Sequence, residues 1–159
     1  MSMIFLIGSQ KSGTTWLRDC FAHVCPVPKR EWYFPEFYEK ISTHIDIFAH
    51  LPEPEKKDAV RDVVAVAWKA LLETTKPNAT FDKSAYPCTS VHAPLRSDLH
   101  PQAVRLAKEV FPEARTVVIV RDPRAVFNST REYLNGFNPE WGLKIDPVEF
   151  AQVWQLQNT

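Results

Sequence analysis

Two glycines near the amino terminus bracket a short loop that contains a lysine. Gly8 and Gly13 are separated by four residues, an apolar run precedes them, and a helical pattern follows them. In such a loop, successive backbone N–H groups and the unpaired N–H groups of the first helical turn converge, which favours a phosphate or sulfate group. The spacing is that of a nucleotide-binding P-loop, except that Thr14 stands where a Walker A loop has lysine, and the lysine lies inside the loop as Lys11. The sequence therefore predicts an anion site that departs from the ATP- and GTP-binding pattern.

A second cationic position follows the most apolar strand candidate. Arg121 comes directly after the β-branched run 116–120, and an Asp-Pro pair typical of a helix start comes next. Ser129 lies eight residues beyond Arg121, about two helical turns along, so both can reach the edge where ligands collect in open α/β sheets. An arginine fork suits a terminal phosphate, because it offers two parallel charge-assisted hydrogen bonds. The alternative is a solvated helix start in which Arg121 pairs with Asp122 or Glu132.

The two motifs resemble, in order and placement, the nucleotide-binding motifs of sulfotransferases that use PAPS, 3′-phosphoadenosine 5′-phosphosulfate. The resemblance implies that the loop holds the 5′-phosphate, that its lysine lies beside the bond from phosphate to sulfate, and that no metal is required. It also implies that Arg121 and Ser129 bind the 3′-phosphate. The residues carried over from the loop motif are Lys11, Ser12, Gly13, Thr14, Thr15 and Trp16. Trp16 would flank the adenine, with packing inside the domain as the alternative.

The resemblance offers two candidates for the general base that removes the acceptor's proton. In the carbohydrate-type enzymes the base is a glutamate after the first helix, and the segment 29–34 resembles that region, so Glu31 is the favoured base. The alternative is a loop carboxylate paired with a neighbouring Lys29 or Arg30. In the cytosolic branch the base is a histidine after the second strand, but Ala85 stands at that position. His92 is the reserve candidate, and a structural or solvated histidine is the alternative for it.

Positive charge is the main requirement for moving a sulfuryl group. The segment Phe-Asp-Lys-Ser around Lys83 resembles the Glu-Lys-Ser/Thr segment of the carbohydrate-type enzymes. We expect Lys83 to stabilise the sulfuryl oxygens and Lys11 the departing phosphate, with a solvated turn lysine as the alternative for Lys83. An aromatic group either lines an acceptor pocket or, as we favour, fills the core. Its members are Trp32, Tyr33, Phe34, Phe37 and Tyr38.

The expected reaction is sulfuryl transfer from PAPS to a hydroxyl or amine of a carbohydrate or small-molecule acceptor, with PAP as product. A P-loop phosphotransferase using ATP and magnesium is less well supported, because the lysine is displaced and the strand 116–120 ends in Arg121 rather than in a metal-binding carboxylate. A catalytically silent PAP- or PAPS-binding or interaction domain derived from a sulfotransferase is the other alternative. The acceptor and the oligomeric state cannot be read from the sequence.

The composition is that of one ordinary globular domain. The chain has 159 residues, of which 45% are hydrophobic and 24% charged, enough for a single core. Its 19 basic and 19 acidic residues balance, which argues against a general nucleic-acid or membrane surface. The apolar run 3–7 is too short for a signal peptide or a membrane span. The three cysteines, Cys20, Cys25 and Cys88, are odd in number and lack metal spacing, which predicts reduced packing residues and a cytoplasmic protein.

The alternation of elements predicts an α/β fold, a P-loop-like three-layer α/β/α arrangement around a parallel sheet. The predicted strands are 3–7, 79–82 and 116–120, and the predicted helices are 14–23, 35–49, 55–74, 101–110, 123–134 and 147–156. We expect the third strand to be buried on both faces, because it is uniformly apolar. The second strand is expected to end at the turn Asp82-Lys83-Ser84.

The resemblance covers the amino-terminal part of the sulfotransferase domain. Nothing here matches the family's glycine-containing lid loop, which covers the adenine and the 3′-phosphate. We therefore expect residues 1–159 to form a single sulfotransferase-like P-loop domain that lacks the lid segment and is incomplete at its carboxyl end, with weak PAPS binding or inactivity as a possible result.

Overall fold

The computed structural model describes residues 2–29, 31, 33–44, 49–86 and 99–159. Strands and helices alternate along these segments. In chain order they are β1 (Ile4–Ser9), α1 (Thr14–Phe21), α2 (Phe34–His44), α3 (Glu53–Thr75), β2 (Phe81–Tyr86), α4 (Leu99–Val110), β3 (Arg115–Ile119), α5 (Pro123–Asn135), α6 (Pro139–Leu143) and α7 (Pro147–Asn158).

The three strands form one parallel sheet in the order β2-β1-β3. Gly8 at the end of β1 lies opposite Ala85 of β2 and Ile119 of β3, so the carboxyl ends of all three strands reach the same edge. Ligands of open parallel sheets bind outside this edge. The predicted α/β fold with a parallel sheet flanked by helices is confirmed.

A large hydrophobic core packs helices against β1. Phe5 of β1 lies with its ring centroid 5.1 Å from that of Phe34 at the start of α2, and Phe34 makes an edge contact with Trp68 of α3 at 4.9 Å. Val60, Val64, Trp68 and Leu72 of α3 are buried one turn apart, so one side of this helix faces the core. Most of the aromatic group therefore fills the core, as expected: Phe34 is buried and Tyr33, Phe37 and Tyr38 pack against the core. Trp32 lies outside the described residues.

A second, smaller core lies where α5 and α7 pack together. Its buried residues are Val126, Leu134, Ile145, Phe150 and Val153. Asp122 and Asp146 each cap the start of one of these helices by accepting a hydrogen bond from a backbone N–H of the first turn. The Asp-Pro helix starts predicted from the sequence are thereby confirmed.

The second strand exists, but the bounds predicted for it are wrong. It was expected at 79–82 with a turn at 82–84, but β2 runs from Phe81 to Tyr86 and all six of its residues are buried. The polar residues are accommodated inside: the hydroxyl of Ser84 donates to the carboxylate of Asp82 at 3.0 Å, and Lys83 has its own partners, described below. A strand whose buried positions carry polar residues lacks the apolar pattern that sequence analysis relies on.

The expected burial of β3 is also wrong. Val118 is 47% exposed and Val120 is 55% exposed. In the part of the chain that the structure describes, β3 pairs only with β1 and lies at an edge of the sheet, so its side chains have neighbours from one side, whereas β1 lies between two strands. An apolar run alone does not distinguish these two positions.

The helix predictions hold apart from their ends. α2 ends at His44, earlier than the predicted 49, and residues 45–48 of that prediction lie outside the described segments. α6 was not predicted. Cys20 is exposed rather than packed, Cys25 is half-buried, and burial raises the pKa of its thiol; Cys88 lies outside the described residues. None of the described helices has the length and apolar character needed to cross a bilayer.

Candidate functional site

The loop between β1 and α1 is held in one shape by its two glycines. A Cβ atom on Gly8 would lie 2.6 Å from the Cγ2 of Ile119, 2.9 Å from the Ile119 carbonyl oxygen and 2.9 Å from the hydroxyl of Ser12. Gly13 has φ of 104°, a value that side chains rarely allow. Lys11, between them, is also left-handed, with φ of 65°. The backbone therefore turns tightly against the tip of β3.

The loop leaves polar groups for which the described part of the chain supplies no partner. Gly13 occupies the N-cap position of α1, where no side chain accepts a hydrogen bond from the first-turn N–H groups. Ser12 is only 5% exposed, and its hydroxyl makes no hydrogen bond within the described segments. Unsatisfied donors at a helix start, beside a buried hydroxyl, fit the oxygens of a phosphate or sulfate group.

A buried lysine from β2 reaches the start of α1. The side chain of Lys83 is 4% exposed, and its ammonium donates to the hydroxyl of Thr15 at 2.9 Å and to the carboxylate of Glu31. The alternative of a solvated turn lysine is therefore wrong. Glu31 is ion-paired with Lys83, 52 residues away, and not with Lys29; Arg30 lies outside the described residues. In this partly buried ion pair, the carboxylate of Glu31 compensates the charge of the buried Lys83 ammonium, which water would otherwise solvate.

Two ionisable groups beside this pair have altered pKa values. Burial, followed by the charge of Glu31 and a hydrogen bond to it, raises the pKa of Tyr33 to about 12, so its phenol keeps its proton. Tyr33 also has a positive φ of 53°, which is rare for a bulky residue and concentrates at functional sites. Burial raises the pKa of Asp82 to about 7. Asp82 precedes Lys83 in β2, and successive side chains of a strand point to opposite faces of the sheet. The carboxyl of Asp82 therefore lies on the face opposite to the Lys83 ammonium.

Arg121 lies directly against the loop. Its Nη1 donates to the backbone carbonyl of Lys11 at 3.0 Å, which joins the helix start after β3 to the anion loop after β1. Asp122 pairs with Arg124 and not with Arg121, and hydrogen bonds from the side chain and backbone of Arg124 lower the pKa of Asp122 to about 2. Among the described residues Arg121 forms an ion pair with neither Asp122 nor Glu132, so the alternative in which one of them neutralises it is wrong. Ser129 lies half-buried on α5.

The ammonium of Lys11 lies over an aromatic ring that sequence analysis missed. Its Nζ is 3.9 Å from the centroid of the Tyr133 ring. Tyr133 follows Ser129 by four residues on α5, one helical turn, and so falls on the same side of that helix. The spacing from Ser129 could have placed Tyr133 on the side of α5 that faces the site. Its contact with Lys11 depends on the tertiary fold and has no signal in the sequence.

A cavity of about 320 Å³ brings most of these groups together. Its lining residues are Gln10, Lys11, Thr14, Thr15, Glu31, Tyr33, Lys83, Ala85 and Tyr133. Five predicted site residues therefore line the same cavity: Lys11, Thr14, Thr15, Glu31 and Lys83. Trp16, on α1, is 69% exposed and does not line this cavity, so the packing alternative for it is wrong. His92 lies outside the described residues and stays a prediction.

A comparison with protein families decides the affiliation of the chain. The family model described as the sulfotransferase family matches residues 3–158, nearly the whole sequence. The chain belongs to the sulfotransferase family. No curated protein and no solved structure matches it. The sulfuryl group that sulfotransferases move carries negative charge. Lysines in the loop and on the neighbouring strand β2 are suitable side chains for such a group, because they are positively charged.

Proposed function

We propose that this sulfotransferase-family protein binds PAPS and transfers its sulfuryl group to a hydroxyl or amine of an acceptor, a carbohydrate or another small molecule. One observation carries the proposal: Lys11, Lys83 and the carboxylate of Glu31 surround a single cavity beside the glycine-bracketed loop. Two cations and one potential base are the charges that sulfuryl transfer needs when a neutral hydroxyl or amine attacks sulfur and loses its proton.

The loop would hold the 5′-phosphate end of the donor. The first-turn N–H groups of α1 have no capping side chain, and the hydroxyl of Ser12 is buried without a partner in the described chain. A phosphate oxygen in the loop would satisfy both. Thr14, buried at the first position of α1, and Thr15, which lines the cavity, would border the same group.

Arg121 would hold the 3′-phosphate. A guanidinium carries five N–H donors, and the hydrogen bond to the Lys11 carbonyl occupies only one of its nitrogens. Because Arg121 is exposed and already adjacent to the loop, the remaining donors can engage a second phosphate close to the first. Ser129, two turns along α5, is the proposed second contact.

The side chains around the cavity would divide the chemistry of transfer. When PAPS is bound it supplies an activated sulfur, and the acceptor oxygen or nitrogen forms a bond to that sulfur while the sulfur–oxygen bond to the phosphate breaks. Lys11 would stabilise the phosphate oxygen that leaves with the electron pair, and Lys83 the sulfuryl oxygens. Glu31 would accept the proton of the acceptor, for which it must exchange its contact with Lys83 for one with the incoming hydroxyl.

A catalytically silent PAP-binding domain is the second candidate. The ion pair between Glu31 and Lys83 favours it, because the proposed base is held by a cation instead of being free to accept a proton. In that case nucleotide binding would persist while transfer would not occur. His92 remains the reserve base if Glu31 proves dispensable.

Calorimetric titration of the purified protein with PAP, and separately with ATP and magnesium, tests the nucleotide assignment. We expect PAP to bind and ATP with magnesium to bind more weakly or not at all; the reverse order would overturn the proposal in favour of a phosphotransferase. Transfer from radiolabelled PAPS to a panel of saccharide, phenol and amine acceptors then separates an enzyme from a silent binding domain.

A further inference from the structure

We infer that Tyr133 is a positioning residue for Lys11, holding the lysine ammonium at the cavity by a cation–π contact. The Nζ of Lys11 is 3.9 Å from the ring centroid, well inside the distance at which such attraction operates. Both residues line the same cavity as Glu31 and Lys83. The effect of this contact on the donor rests on the proposed function, whereas the contact itself does not.

The two cavity lysines have partners of different kinds. Lys83 is buried and paired with the carboxylate of Glu31, which compensates its charge. For Lys11 the described residues provide an aromatic face and no ion pair. A ring attracts the ammonium without neutralising it, so the positive charge of Lys11 stays available to an anion that enters the cavity. This difference suits a lysine that must meet a ligand rather than close a buried pair.

The helix that carries Tyr133 fixes Lys11 from two sides. Arg121, just before α5, donates to the carbonyl of Lys11, and Tyr133, in the last turns of α5, contacts its ammonium. The Tyr133 ring is itself placed by an edge contact with Phe137, with centroids 4.9 Å apart. A lysine side chain has many rotamers in water, and restricting them before a ligand arrives lowers the entropy lost on binding.

The contact can be measured in the ligand-free protein. With 13C-labelled lysine, the ε-methylene signal of Lys11, assigned with Lys11→Arg, should show a ring-current displacement in the wild type. The displacement should persist in Tyr133→Phe, which keeps the ring, and vanish in Tyr133→Leu. Tyr133 is 44% exposed, so we expect both variants to fold, which thermal denaturation checks. A wild-type signal at the position of solvated lysines would overturn the inference.

The consequence for binding is tested by PAP titration of the same variants. Tyr133→Leu should weaken PAP binding about 2- to 5-fold, the equivalent of about 0.5–1 kcal/mol for a cation–π contact at an exposed site, and Tyr133→Phe should restore the wild-type value. In a Lys11→Met background, Tyr133→Leu should have no further effect, because Tyr133 acts through the lysine. An equal loss in both backgrounds would contradict this. If the wild type does not bind PAP, the proposed function is wrong. The 13C signal of Lys11 then still shows whether its ammonium contacts the Tyr133 ring.

Discussion

The loop after β1 and the helix start after β3 meet at the same edge of the sheet, but they are built differently. Phe5, Leu6 and Ile7 of β1 are fully buried, and the loop that follows is packed so tightly that Gly8 has no room for a Cβ atom. β3 is partly exposed, and Arg121 at its end is joined to the loop by one side-chain hydrogen bond. The buried region, β1 with the loop 8–13, is shaped by packing. The exposed region, β3 with Arg121, contributes a positive charge at the protein surface.

This difference has a practical meaning for mutation. A change in the buried region should alter the stability of the fold together with the site, since the same contacts serve both. A change at the exposed region should alter ligand binding with little effect on the free energy of unfolding, as is usual for surface positions. Substitutions at Gly8 and Arg121 test that division.

The largest expected effect comes from Lys83→Met, which keeps the buried stem and removes the charge. Removing one donor to a developing negative charge typically costs about 2.7–4 kcal/mol, so we expect sulfuryl transfer to fall roughly 100- to 1,000-fold. PAP affinity should change little, because Lys83 is assigned to the sulfuryl group that PAP lacks. Single-turnover rates and PAP titration measure the two quantities. Transfer at the wild-type rate would remove Lys83 from the proposed mechanism.

Gly8→Ala should damage the loop and the fold together. The new Cβ would meet the Ile119 carbonyl oxygen, a backbone atom that cannot rotate away. Overpacking of this kind costs about 1–3 kcal/mol, which urea denaturation measures, and we expect PAP binding to weaken as well. Gly136→Ala is the matched control, because Gly136 is exposed with an ordinary helical φ of −66°. Equal stability of the two variants would show that Gly8 is not tightly enclosed.

Asp82→Asn should stabilise the protein in a pH-dependent manner. Burial raises the pKa of Asp82 to about 7 from 3.8, so between these values the folded protein binds a proton that the unfolded chain has lost. The stability of the wild type should therefore fall as pH rises through this window. We expect the variant to be more stable by about 4 kcal/mol at pH 8, on the scale of 1.36 kcal/mol per pKa unit, with a smaller difference at pH 4.

Urea denaturation at the two pH values provides the measurement for Asp82. Asp62→Asn, at an exposed position of α3, is the control and should show no comparable gain. A gain for Asp82→Asn that is the same at pH 4 and pH 8 would argue that burial does not disfavour the charged carboxylate.

The buried region was predictable where its pattern is local. The apolar run of β1, the two glycines and the helix that follows lie within about twenty residues. β2 was misplaced because Asp82, Lys83 and Ser84 interrupt the apolar pattern although all three are buried. Their burial depends on partners such as Glu31, which is remote in sequence.

The exposed region shows the opposite limitation. The apolar residues of β3 indicate a strand but do not reveal that, among the described segments, it pairs with β1 alone. The contact of Tyr133 with Lys11 joins positions 122 residues apart, and that of Arg121 with the Lys11 carbonyl spans 110. Types and spacing of residues could therefore propose the charges of the site, while the partners that hold those charges depend on the tertiary fold.

The most direct test of the account compares PAP with AMP, which lacks the 3′-phosphate, in calorimetric titrations of the wild type, Arg121→Ala and the control Arg124→Ala. We predict that the wild type and the control bind PAP more tightly than AMP. Arg121→Ala should weaken PAP binding about 10-fold, equivalent to about 1.4 kcal/mol, should weaken AMP binding far less, through the lost contact with the Lys11 carbonyl, and should leave the unfolding free energy unchanged. A loss of equal size for PAP and AMP, or no loss for either, would contradict the claim that the loop and Arg121 bind two ends of one nucleotide.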